Sequence, residues 1–208
     1  MKETLIQAAR SALEDAAQQS TQMTERLPGI AAELSAVAEA CAQALHNRNR
    51  VFFCGNGGSA AESQHLATEF VVRLSSQRNR AALSSIALTT DTSLLTACAN
   101  DFGFDRVFAR QVEAHLKTGD VLILLSTSGA SPNLLEAAKS ARAQGGVVVG
   151  FLGEQQTPLN PFCDYVLHMP SPHSQRVQEG HLMCGHLLVQ LVEDILLASP
   201  SPEPGSLR

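Results

Sequence analysis

Short apolar runs alternate with helical segments along most of this chain, and that alternation restricts the fold more than any other feature. The runs Val51–Cys54, Ser85–Leu88, Val121–Ser126, Val147–Leu152 and Tyr165–Met169 have strand length. Helical spacing predicts helices over Ser59–Leu74, Thr92–Ala99, Arg106–Leu116, Pro132–Ala143 and Arg176–Ala198. Strands alternating with helices predict a mainly parallel sheet covered on both faces, an α/β architecture. Upstream, Lys2–Gln22 and Pro28–His46 are alanine-rich with Leu and Ile at helical spacing, so two helices are expected before the first strand. Their apolar faces need cover, from the sheet or from a second subunit.

No linker divides the chain, so one domain is expected over 1–198, including the N-terminal helices at about 1–46. The proline- and serine-rich tail 199–208 is expected to be disordered. A net charge of −5 offers no electrostatic footprint for nucleic acid, so any anion site must be local. The five cysteines are scattered without CxxC spacing, which argues against a disulfide framework or a thiolate zinc site and points to a reducing cytoplasm. The N-terminus, with charges mixed among alanines, lacks the apolar core of a signal peptide, and the apolar runs Val121–Leu125 and Val147–Leu152 are far too short for a membrane span.

Two loops carry the candidate chemistry. The first, Cys54-Gly-Asn-Gly-Gly-Ser59, joins a strand to a helix, where glycines let a ligand approach the main chain and a helix N-terminus favours anions. It lacks both the third glycine of a dinucleotide fingerprint and the Gly-Lys-Ser/Thr of a nucleoside-triphosphate loop. The second, Ser126-Thr127-Ser128-Gly129-Ala130-Ser131, presents hydroxyls suited to phosphate before a helix that begins at Pro132. The plainer alternative is that Ser131 caps the helix and the other hydroxyls satisfy a turn.

His65 and Glu69 stand four residues apart and share a helix face, as a solvated pair or as part of a metal or acid/base site. The last helix concentrates Gln178, Glu179, His181 and His186 in an apolar stretch, and with His65 and Glu69 this donor set suits a divalent metal such as zinc. Arg73, one turn past Glu69, can pair with that carboxylate or with a phosphate. Asn100 and Asp101 can bind sugar hydroxyls or form a capped turn.

Together the segments 54–59, His65 with Glu69, Asn100-Asp-Phe-Gly-Phe104, Ser126-Thr-Ser-Gly129 with Ser131, and Arg176-Val-Gln-Glu179 with His186 resemble the phosphoheptose (sedoheptulose 7-phosphate) isomerases over about residues 1–197. The resemblance implies a sugar-isomerase (SIS) domain, a flavodoxin-like parallel sheet sandwiched by helices, assembled as a cytoplasmic homotetramer. It implies conversion of sedoheptulose 7-phosphate to D-glycero-D-manno-heptose 7-phosphate, an early step towards lipopolysaccharide heptose. By the same resemblance His65, Glu69, Gln178 and His186 hold one zinc ion per subunit, with Glu69 as general base and His186 as general acid. Ser126, Thr127, Ser128 and Ser131 contact phosphate; Asn56, Gly57, Gly58, Asn100 and Asp101 contact the sugar. Ser59, Arg73, Glu69 and Gln178 complete the substrate-binding set.

The chemistry of that reaction asks for such groups. Moving a carbonyl between C1 and C2 through an enediol needs a base, an acid for the oxygens, and positive charge for the enediolate. On a regular helix Gln178 and His186 lie about 12 Å apart, so Gln178 is expected to reach across from the helix start, or the start to be irregular. The segment Ser174-Gln175-Arg176 is more similar to a related non-catalytic tetramer of the same fold that binds the DnaA replication initiator, the alternative reading.

Overall fold

In the computed structural model, which describes residues 1–198, five strands form one parallel sheet: β1 Val51–Gly55, β2 Ser85–Ala87, β3 Val121–Ser126, β4 Val147–Leu152 and β5 Tyr165–His168. Their order is β2-β1-β3-β4-β5, the flavodoxin-like arrangement. The expectation for the tail 199–208 lies outside the described residues. Every residue of β1 and β3 is buried, as continuous apolar runs covered on both faces require.

The period of two divides the core. Phe53, Ile123, Leu125, Val149 and Phe151 pack towards α2 (Ala31–His46), α3 (Gly58–Val71) and α7 (Ser174–Ala198). Phe52, Cys54, Leu122, Leu124, Val148 and Leu152 pack towards α4 (Thr92–Phe102), α5 (Ala109–His115) and α6 (Pro132–Ala143). α1 (Lys2–Arg26) runs into α2 through one 3₁₀ turn, Leu27–Ile30, that carries Pro28 at its start.

Several element bounds differ from the sequence expectations. α4 continues to Phe102, so Asn100 and Asp101 form its last turn, which Gly103 ends at φ 87°. α5 begins only at Ala109, after a 3₁₀ turn at Phe104–Arg106. α7 starts two residues early, at Ser174. At 25 residues, with an 18-residue stretch of mean hydropathy 1.4, α7 rather than any strand is the longest apolar segment and has the length of a membrane span. Its buried face, Val177, Cys184, Leu188, Val189 and Val192, packs into the core with α2 and the sheet, which accounts for that apolarity.

Candidate active site

In the order β2-β1-β3-β4-β5 all strands run parallel, but the strand order reverses between β1 and β3, and ligands of open α/β sheets bind beyond the strand ends at such a reversal. The glycine loop leaves β1 and the hydroxyl loop leaves β3, so both flank this crevice. Gly57 sits at φ 58°, a backbone region that resists side chains, and sets the start of α3 at Gly58. Asn56, Ser59, Ser126, Thr127, Ser128, Ser131 and Gln178 line a cavity of about 120 Å³ between the N-termini of α3 and α6.

The hydroxyls there divide their work. Ser126 Oγ accepts the Gly129 N–H at 2.9 Å and Ser128 Oγ accepts the Ala130 N–H at 3.4 Å, so both serve the turn while each keeps its own proton to donate. Ser131 stands at the N-cap of α6 but makes no capping bond through its side chain. The plain helix-cap reading therefore fails for Ser131, whose side chain faces the cavity instead. Two helix N-termini and these donors are groups that can hold an anion without a formal positive charge, in a chain of net charge −5.

Asn56 and Asn133 hold the two loops together. Asn56 Nδ2 donates to Asn133 Oδ1 at 2.9 Å and Asn133 Nδ2 donates to Asn56 Oδ1 at 2.8 Å. Asn133 is buried, and sequence reading missed its role; only its place in the first turn of the helix after the hydroxyl loop hinted at it. The side chain of Asn56, expected at the sugar, is engaged in this pair.

Along the contact between α3 and α7, functional side chains meet turn by turn. At the start, the Gln178 amide lies where a Cβ on residue 58 would stand. One turn on, Glu62 Oε2 faces His181 Nδ1 at 4.0 Å. Next, His65 Nε2 and His186 Nε2 approach to 2.7 Å, with the rings edge to face, and Glu69 Oε1 lies 3.6 Å from His65 Nε2. Leu66 packs onto Gly185, where any Cβ would be 2.5 Å from its side chain. At the far end Arg80 donates to the carbonyls of Glu69 and Phe70 and, at 2.7 Å, to buried Glu193 of α7.

His65, Glu69 and His186 each offer a ligand atom within 4.8 Å of the others. Two imidazoles and a carboxylate fit zinc, which takes such sets at about 2.0–2.2 Å and keeps a further position open. α7 is regular from Ser174, and Gln178 sits beside Gly58 in the anion cavity, at the lower end of the same seam.

Two expected groups stand elsewhere. Arg73 follows the end of α3, is exposed, and pairs with no carboxylate among the described residues; Arg80 is the arginine that holds the Glu69 backbone. Asn100 donates to Asp101 at 2.8 Å, and Asp101 lines a separate cavity with Phe102, Arg110 and Gln111. Burial shifts two groups in the seam: the Glu62 carboxyl is pushed up to about 7 and the His181 imidazole, backed by Phe151, down to about 4.

The chain is similar to known proteins in sequence and in fold. Residues 13–153 match the SIS domain. A phosphoheptose isomerase of Burkholderia pseudomallei is 46% identical over 164 residues, 79% of this chain and 82% of that protein. One from Solidesulfovibrio magneticus is 49% identical over 163 residues, 78% of each chain. The solved structure of the Neisseria gonorrhoeae phosphoheptose isomerase superimposes with a TM-score of 0.82 at 34% identity, covering 89% of this chain and 99% of that one. By matched domain, sequence identity and superposition alike, the chain belongs to the phosphoheptose isomerase family of SIS-domain proteins.

Proposed function

We propose that the protein interconverts sedoheptulose 7-phosphate and D-glycero-D-manno-heptose 7-phosphate. The observation that carries this reading is the meeting of His65, Glu69 and His186 on one seam whose lower end opens into a hydroxyl-lined anion cavity. The cavity takes the phosphate on Ser126, Thr127, Ser128, Ser131 and the α3 and α6 N-termini. The sugar then extends along the glycine loop towards the three side chains, where Glu69 takes the carbon-bound proton and His186 serves the oxygens. Glu69 Oε1 is directed at His65, so Oε2 is the oxygen available for that proton. His65, Glu69 and His186 would hold zinc, with Gln178 closing in from the cavity side, and the ion would supply the positive charge that an enediolate needs.

Homotetrameric assembly, supported by an α1 on which Leu5, Ile6 and Leu13 stand exposed, and a cytoplasmic location belong to the same reading. The gathered triad favours an enzyme over a platform for a replication initiator. Incubation of the zinc-loaded protein with sedoheptulose 7-phosphate in deuterated water tests the proposal. Aldose product with deuterium at the reacting carbon is expected, and bound substrate with neither product nor exchange would sink it.

A further inference from the structure

Between the anion cavity and the His/Glu triad the α3–α7 seam contains two polar atoms that the proposed reaction does not use. Glu62 Oε2 and His181 Nδ1 are both buried and make no hydrogen bond among the described residues, yet they face each other at 4.0 Å. The other ring nitrogen, His181 Nε2, points at the Leu152 carbonyl at 3.4 Å. A carbonyl only accepts, so the imidazole proton belongs on Nε2 and leaves Nδ1 as an acceptor. An ionised carboxylate is also only an acceptor, and two acceptors facing each other in a buried seam are unfavourable. A proton on Glu62 resolves both.

We propose that Glu62 acts as a carboxylic acid whose proton is directed at Nδ1 of His181, that the two groups close from the 4.0 Å seen here to hydrogen-bond distance, and that this contact is a positioning one fixing the height of α3 against α7. The pair stands one turn from His65 on α3 and one to two turns from His186 on α7. A slip of either helix at this level moves His186 relative to His65 and Glu69. Leu66 seated on Gly185 leaves no slack next to it, and the Arg80–Glu193 pair pins only the far end. The upward displacement of the Glu62 carboxyl by burial agrees with the protonated form. His181 of α7 is the ionisable group facing Glu62 within ion-pair distance among the described residues, and His65, three residues further on, shares its helix face.

This inference rests on the isomerase reading for its kinetic consequence and stands apart from it for its structural one, so two measurements are paired. In the wild-type protein, long-range ¹H–¹⁵N spectra of ¹⁵N-histidine should show His181 as the Nε2–H tautomer at pH 6–7, with Nδ1 shifted as a hydrogen-bond acceptor. A Nδ1–H tautomer, an imidazolium, or a bare Nδ1 overturns the pair whatever the enzyme does. In kinetics, Glu62→Gln keeps a donor for Nδ1 and should hold kcat within about threefold of wild type. Glu62→Ala removes the donor and should lower kcat by about 10- to 100-fold with KM little changed, since misplacement near 1 Å costs that much. Equal kcat in wild type and Glu62→Ala, or loss in Glu62→Gln as deep as in Glu62→Ala, overturns the positioning role. Absence of wild-type turnover would strike the isomerase reading and leave the spectra to decide the pair.

Discussion

Glu69 has two oxygens and two neighbours to satisfy, which makes it the most exacting residue of the site. One oxygen lies 3.6 Å from His65, while its backbone carbonyl is held by Arg80 at 2.8 Å, so the side chain is aimed by both ends of its own residue. Replacing Glu69 by Gln keeps size and polarity but removes the base. Turnover should fall at least 100-fold, within the range general-base loss produces, while circular dichroism stays that of wild type; undiminished kcat would remove Glu69 from the role. Glu62 makes a second prediction, through stability. Its folded pKa, about 7, lies above the ordinary 4.5. Its contribution is thus fully present below about pH 4.5 and lost as pH rises through about 7. His181, lowered to about 4, works oppositely: its neutral form contributes above pH 6.5 and is lost as pH falls through 4. Net stability therefore hides both effects, and the wild type minus Glu62→Gln difference isolates the first. Urea unfolding should show that difference shrinking by about 1–3 kcal/mol between pH 5 and pH 8, each pKa unit being worth about 1.4 kcal/mol. A difference flat with pH would mean that Glu62 is ionised throughout.

At the scale of elements, the site is made by how α3, α6 and α7 meet at the β1/β3 reversal. The Asn56–Asn133 pair fixes loop to loop and the Arg80–Glu193 pair fixes helix to helix. Asn133→Ala strands a part-buried amide and two hydrogen bonds, and should cost about 1–3 kcal/mol of stability. It should raise KM for the phosphosugar more than it lowers kcat, because the anion cavity and not the triad loses its shape; an unchanged KM would count against that division. Much of this level was legible in the sequence. Strand and helix alternation determined the parallel sheet, and the two loops were placed at the strand ends where they are found. What sequence patterns lacked were pairings across long separations with no local signature. Arg80 and Glu193 lie 113 residues apart and Asn56 and Asn133 lie 77 apart. Arg73 was placed one turn past Glu69 because helical spacing was extended past Val71, where α3 stops. The helix was expected to end at Ala99, before Asn100 and Asp101, whereas α4 carries both in its last turn before Gly103 turns it away.

At the scale of the whole molecule, α1 is the element whose packing is incomplete within one subunit. Its 25 residues extend about 37 Å, yet Met23 is its sole buried residue. Leu5 and Leu13 are each 71% exposed, with Ile6 between them. Helix propensity does not supply a reason to keep such apolar side chains in water; burial against another copy does. The end of α1 nearer the domain is tied to the first turns of α7: Arg176 donates to the Ala16 carbonyl at 3.3 Å and Ser20 donates to Glu179 at 3.3 Å. These turns also carry Gln178 into the hydroxyl-lined cavity, so covering α1 would steady the end of α7 that borders the proposed phosphate site. The double substitution Leu5→Glu with Leu13→Glu places two charges on that face without touching the core. Sedimentation should then show the proposed tetramer of the wild type replaced by smaller species, with KM for the phosphosugar raised several-fold and the unfolding of the isolated domain little affected. A variant that remains tetrameric would show that α1 faces solvent in the assembly. One that dissociates with unchanged KM would show that the bonds from Ala16 and Ser20 to α7 transmit nothing to the site.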